Sequence, residues 1–108
     1  MLYKFKSKAA ADLIMLEPNG RRLLQIIGKH PEDRRGILLP EQMGPALAAL
    51  QAAIEQEEAE QKTAIAEAVA RGETPPSFEG ISLRQRAVPF MDMLRRCQQA
   101  DKEIVWGV

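Results

Sequence analysis

The stretch from Ser82 to Val108, SLRQRAVPFMDMLRRCQQADKEIVWGV, constrains the rest of the chain most. It reads as one amphipathic helix followed by a short, uncharged strand. Ser82 and Gln85 have the spacing of a capping box, in which the hydroxyl accepts from the amide three residues on and the glutamine reaches back to the cap amide. At about 100° per residue, Leu83, Ala87, Phe90, Leu94 and Cys97 form a narrow stripe with Met91 and Val88 on one shoulder. Arg84, Gln85, Asp92, Arg95, Arg96 and Gln99 take the opposite arc. Pro89 falls inside this pattern and removes a backbone donor, so a kink or break is expected there. After Asp101-Lys102-Glu103, the run Ile104-Val105-Trp106-Gly107-Val108 is β-branched and aromatic. A strand apolar on both faces needs cover on both, so these residues are expected to close a sheet.

The other end of the chain supplies the strands to close against. Tyr3-Lys4-Phe5-Lys6 alternates with period two, which predicts a strand over 2–7 with Tyr3 and Phe5 inward. Lys4, Lys6 and Lys8 then keep the open face solvated. Asp12-Leu13-Ile14-Met15-Leu16 predicts a second strand and a hairpin, with a helix start at Ala9 to Ala11 as the alternative. Glu17-Pro18-Asn19-Gly20 punctuates, and Arg21 to Ile27 predicts a short helix burying Leu23, Leu24, Ile26 and Ile27, with Gly28 as its stop. The loop Lys29 to Gly36 is charged. Ile37-Leu38-Leu39 either pairs with the sheet or leads apolar side chains into the next helix.

That next helix starts at Pro40 or Pro45 and runs to about Arg71, with Gly72 ending it. Leu47, Leu50, Ile54, Ile65 and Ala68 share a face, interrupted by Glu55 to Lys62, which offers little to bury. Such a helix is on the order of 40 Å long at 1.5 Å per residue, whereas a compact chain of this size has a radius of gyration near ~13 Å. Either it breaks at the acidic run or its far half projects, and projection into a dimer would bury Ile65 and Val69. Glu73-Thr74-Pro75-Pro76-Ser77 and Gly80 form the connector to the closing helix. The fold class expected is α+β: a small three-stranded sheet, made of the N-terminal hairpin and the C-terminal strand, with about three helices on one face and the middle one long. The apolar second and last strands are expected to be neighbours, with the lysine-bearing first strand outside.

With 108 residues, 45 % hydrophobic and 28 % charged, the chain has the profile of one globular domain. Its net charge is zero but segregated. Residues 1–40 carry eight Lys/Arg against four Asp/Glu, residues 41–80 two against eight, and residues 81–108 five against three. That layout favours self-association or a charged protein partner, and it lacks the net basic footprint of a dedicated nucleic-acid binder. No apolar run approaches the ~20 residues that span a bilayer, and MLYKFKSK lacks a signal peptide's apolar region, so no membrane association and a cytoplasmic location are expected. A single cysteine excludes an intrachain disulfide, and Cys97 on the apolar stripe reads as a small buried hydrophobe.

The chemistry-bearing residues are few. Asn19-Gly20-Arg21-Arg22 is the best candidate, an anion contact where a strand opens into a helix whose free amides and dipole favour negative charge. It lacks the repeated glycines of a phosphate-binding loop. Arg84 and Arg95 align on one helix face as a candidate basic surface, while Arg86 points away, and Asp92 is spaced to pair with Arg95 or Arg96. His30, the only histidine, has no nearby Cys or second His, so no metal site or cofactor is expected. Glu55, Glu57, Glu58 and Glu60 point to different sides of a helix, and Ser7, Thr63, Ser77 and Ser82 lie in no nucleophile context; no catalytic residue is assigned.

The two ends of the chain, KFKSKAAADLIMLEPNGRRLLQIIGK and SLRQRAVPFMDMLRRCQQADKEIVWGV, resemble a family of small proteobacterial proteins, domain of unknown function 1840. The resemblance covers nearly the whole chain and implies a free-standing, single-domain bacterial protein. It brings no activity, ligand or catalytic residue. The expectation from the residues is a non-catalytic α+β module that self-associates, with a dimer favoured, and binds another macromolecule. The alternatives are a small domain holding an anionic ligand at Asn19 to Arg22, and nucleic-acid binding through Lys4, Lys6 and Lys8 with Arg84 and Arg95.

Overall fold

The hairpin at the N-terminus builds the sheet. In the computed structural model, which describes residues 2–78 and 82–107, β1 (Leu2–Ser7) pairs antiparallel with β2 (Ala10–Leu16), from Leu2 opposite Leu16 to Phe5 opposite Leu13. Period-two alternation puts Phe5, Tyr3, Leu13 and Met15 on one face and Lys4, Lys6, Ile14 and Leu16 on the other. Phe5 is buried, whereas Leu2 is 64 % and Leu16 61 % exposed. The sheet therefore has one covered face and one open face.

From Leu16 the chain passes without a loop into α1 (Glu17–Ile26). Leu16 is the N-cap, Glu17 lies favourably in the positive first turn, and Pro18 stands where a missing amide is tolerated. The helix thus begins four residues before Arg21, the expected start, and Asn19 and Gly20 belong to it. Leu23 and Leu24 are buried, and Gly28, at φ 83°, ends the helix in a conformation side-chain-bearing residues avoid.

After the loop comes β3 (Gly36–Leu38), then α2 (Pro40–Ala70), α3 (Leu83–Ala100) and β4 (Ile104–Trp106). The sheet has four strands, not three, in the order β2-β1-β4-β3, all antiparallel. The C-terminal strand does join the hairpin, but it pairs with β1 (Phe5 opposite Trp106), so the lysine-bearing strand is central and β2 is an edge. The fourth strand is the Ile37-Leu38 segment, which settles its alternative in favour of pairing: Ile37 lies opposite Val105 and Leu38 opposite Ile104. Val108 and Gly80 lie outside the described residues.

α3 has the expected capping box, with Ser82 Oγ accepting from Gln85 N at 3.2 Å and Gln85 Oε1 accepting from Ser82 N at 2.9 Å. It runs through Pro89 without a break. Leu83, Ala87, Phe90, Met91, Leu94 and Cys97 are all buried, as the stripe predicts; Val88 is exposed and Met93 takes a place in the core. Phe90 meets Phe5 at 4.8 Å between ring centroids, and Phe5 meets Trp106 at 5.7 Å, so the closing helix and closing strand bury the same face of the sheet. The Cys97 thiol, itself buried, donates to the Ser7 hydroxyl at 3.2 Å.

α2 is continuous from Pro40, with Gln42 Oε1 accepting from the Leu39 amide and Pro45 carried inside. Its 31 residues make it roughly 46 Å long, close to the molecule's longest extent of 53 Å, against 28 and 22 Å in the other directions. The radius of gyration is 16.1 Å, above the ~13 Å of a compact chain of this size. At its start α3 is bonded to α2 through Glu57, whose carboxylate accepts from Leu83 N at 2.9 Å and caps the helix, and through Glu58, which pairs with Arg84. From there α2 runs on to Ala70. No helix among the described residues is long and apolar enough to cross a membrane.

Candidate functional site

The loop between α1 and β3 runs beside the Leu2–Lys6 part of β1. Tyr3 Oη donates to the Pro31 carbonyl at 3.3 Å, tying the loop to β1. Further along, Gly107 packs so closely on the Arg34 carbonyl that a Cβ there would overlap it. Between these two anchor points lies a cleft of about 590 Å³. Lys4 and Lys6 form its floor, Arg21 enters from α1 and Arg34 from the loop, while Leu2 and Tyr3 give it an apolar wall. Three carboxylates, Glu17, Glu32 and Asp33, also reach it.

Part of that charge is already matched, since Arg21 pairs with Glu17 at 2.6 Å, one helical turn away. Glu32 lies 3.5 Å from His30 Nδ1. Lys4, Lys6 and Arg34 have no carboxylate at ion-pair distance among the described residues.

The Asn19-to-Arg22 stretch does not act as one group. Gly20 is buried under Tyr3, where an added Cβ would sit 2.6 Å from the ring. Arg22 points away from the cleft into a shallow groove between α1 and α2, with Glu57 Oε1 at 3.4 Å. The physical reason is the earlier helix start: at about 100° per residue, consecutive arginines inside a helix diverge. Only Arg21 of the four lines the cleft.

Arg84 and Arg95 are both exposed and both paired. Arg95 bonds Asp92 at 3.2 Å, as its spacing suggests. Arg84 makes a two-pronged contact with Glu58 on α2, at 3.1 and 2.7 Å. Because α3 covers the Phe5 face, its exposed side and the Lys4–Lys6 face look in opposite directions.

The hydrogen bonds and charge of Arg84 hold the Glu58 carboxyl below its ordinary 4.5, and Glu58 in turn raises Arg84. A carboxylate with a lowered folded-state pKa contributes stability above its unfolded pKa and loses it as pH falls through the folded one. Glu58→Gln is therefore expected to be slightly less stable than the parent at pH 7, with the gap closing as urea titrations are repeated below pH 4.5. A gap that stays constant down to pH 2 would contradict this.

Sequence reasoning passed over two features. Glu57 and Glu58, read as part of a run with little to bury, are where the start of α3 is anchored. Arg34, read as loop charge, is brought to Lys4 and Lys6 by the β3 pairing that the three-stranded expectation omits. Neither contact has a local signal, since each joins residues more than twenty positions apart. No cluster of three or more His, Cys, Asp or Glu side chains suited to a metal is found among the described residues.

A family model described as Domain of unknown function (DUF1840) matches residues 1–106. No curated protein and no solved structure matches the chain.

Proposed function

The chain belongs to the DUF1840 family, a domain of unknown function, and we propose that it is a non-catalytic, self-associating α+β module that binds another macromolecule. One observation carries this reading: the outer half of α2 runs on beyond Glu58, where α3 is bonded to it, and bears exposed apolar side chains. Ala68 is buried where the chain turns back at Gly72, but Ile65 is 39 % and Val69 59 % exposed, with Phe78 also exposed. Ile65 and Val69 continue the helix stripe that Leu50 and Ile54 bury further in. An apolar stripe that outruns its cover is the mark of a contact surface.

A second copy of this arm is the occupant favoured here, with Ile65 and Val69 of one copy packing on those of the other. The segregated charge, basic over residues 1–40 and acidic over 41–80, offers a further macromolecule two surfaces of opposite sign.

The test is Ile65→Asp combined with Val69→Asp. Light scattering at high micromolar concentration is expected to give a dimer for the parent and a monomer for the variant. Thermal stability at low concentration should be nearly unchanged, since both side chains are exposed within one subunit. A parent that is monomeric at high micromolar concentration sinks the proposal.

A further inference from the structure

The cleft beside β1 has a use that self-association does not give it, because none of its lining lies on the outer half of α2. Lysines on the open side of a sheet ordinarily serve to keep it soluble, and for that purpose a flat face is enough. Here they are walled in. The loop before β3 is fastened at both ends of the concavity, by the Tyr3–Pro31 hydrogen bond and by the close packing of Arg34 on Gly107. Such a cleft exists before any ligand arrives, so little ordering cost remains to be met on binding.

Its charge is unbalanced in a particular way. Glu17 is satisfied by Arg21. That leaves the cations Lys4, Lys6 and Arg34 against the carboxylates Glu32 and Asp33 among the described lining residues, a small positive excess. Leu2 and Tyr3 add an apolar wall. A volume of about 590 Å³ is within the range of small-molecule sites, roughly 300–1,000 Å³.

From this geometry we infer that the cleft binds a small organic anion, a phosphate or carboxylate carried on an apolar body. Lys4, Lys6 and Arg34 hold the charged group, and Leu2 with Tyr3 covers the rest. Arg21, already paired with Glu17, borders the site without being needed to neutralise the ligand. Lys4 and Lys6 project on the same side of one strand two residues apart, close enough for both ammonium groups to reach a single phosphate or carboxylate.

The experiment is a titration of the isotopically labelled full chain followed by amide NMR at low salt, with phenyl phosphate, benzoate, inorganic phosphate and phenol as probes. Saturable shifts centred on residues 2–6, 33–35 and 107 are expected with phenyl phosphate, with benzoate, or with both, and this pattern distinguishes the two anion types. Inorganic phosphate should bind more weakly than phenyl phosphate, and phenol should not saturate. Lys4→Ala with Lys6→Ala is expected to weaken binding by at least about tenfold, with the dispersed spectrum of the folded chain retained. Arg22→Ala should bind as the parent does, which separates this cleft from the Asn19-to-Arg22 stretch. The inference is overturned if neither aromatic anion saturates, if the shifts extend equally to Arg84 and Arg95, or if the double lysine variant keeps its affinity.

Discussion

Replacing Trp106 by alanine is expected to cost the chain about 3–5 kcal/mol, the range for removing a fully buried large aromatic. The indole is 2 % exposed and stands where three parts of the protein converge. It lies opposite Phe5 on β1, opposite Gly36 on β3, and within the cluster that holds Phe90 of α3. A domain of this size has only about 5–15 kcal/mol of stability in all, so the variant should unfold within the first part of a urea titration. Trp106→Phe separates packing from polarity. Trp106 Nε1 is buried with no hydrogen-bond partner among the described residues, a situation that costs about 1–3 kcal/mol. Phenylalanine gives up some volume but sheds that donor, so its loss should be far smaller than that of alanine. An alanine variant within 1 kcal/mol of the parent, an order-of-magnitude threshold on the scale of ordinary surface changes, would mean that β4 is not docked.

Gly36→Ala is the second large effect, and it arises from the other side of the same ring. Gly36 faces Trp106 in the β3–β4 register, and a Cβ there would overlap the indole. The added methyl must displace either the ring or the strand. Because β3 is a three-residue edge strand and the indole is locked in the core, the strand should give way. Overpacking of this kind costs roughly 1–3 kcal/mol, sometimes more. The cost should shrink when Trp106 is already phenylalanine, with a coupling on the order of 0.5–3 kcal/mol. Strictly additive losses across this cycle, measured by urea denaturation, would show that the two residues do not touch. Loss of β3 would also release Arg34 from the cleft, so Gly36→Ala should weaken anion binding even where the chain remains folded.

Much of this architecture is legible from the residues. Alternation at Tyr3 to Lys6 gave the first strand and its inward face, and the Ser82–Gln85 spacing located the start of the last helix. Its stripe named the buried residues down to Cys97, and the length of the Pro40-to-Arg71 pattern identified a helix too long for the body. What escaped did so for physical reasons. β3 is three residues long, too short for any period, and its clearest mark is a glycine whose purpose is to admit a tryptophan seventy positions away. Strand order was misread because apolar strands were assumed to be interior. On a sheet with one open face, position and exposure are separate matters: central β1 shows its lysines, while edge β2 leaves Ile14 and Leu16 bare. The early start of α1 was hidden by Pro18, which punctuates in a loop and is equally at home in a first helical turn. The cleft was not legible at all, since its cations come from a strand, a helix and a loop that only the fold brings together.

The account turns on what the outer half of α2 meets. A single spin label placed at Lys62 through a cysteine substitution reports on this directly, because the native Cys97 is buried and does not compete for the reagent. Pulsed dipolar spectroscopy of this singly labelled chain reads only distances between separate molecules. If two copies pair along their α2 arms, a defined intermolecular distance should appear, and Ile65→Asp with Val69→Asp should abolish it. A featureless background at high micromolar concentration would contradict the account.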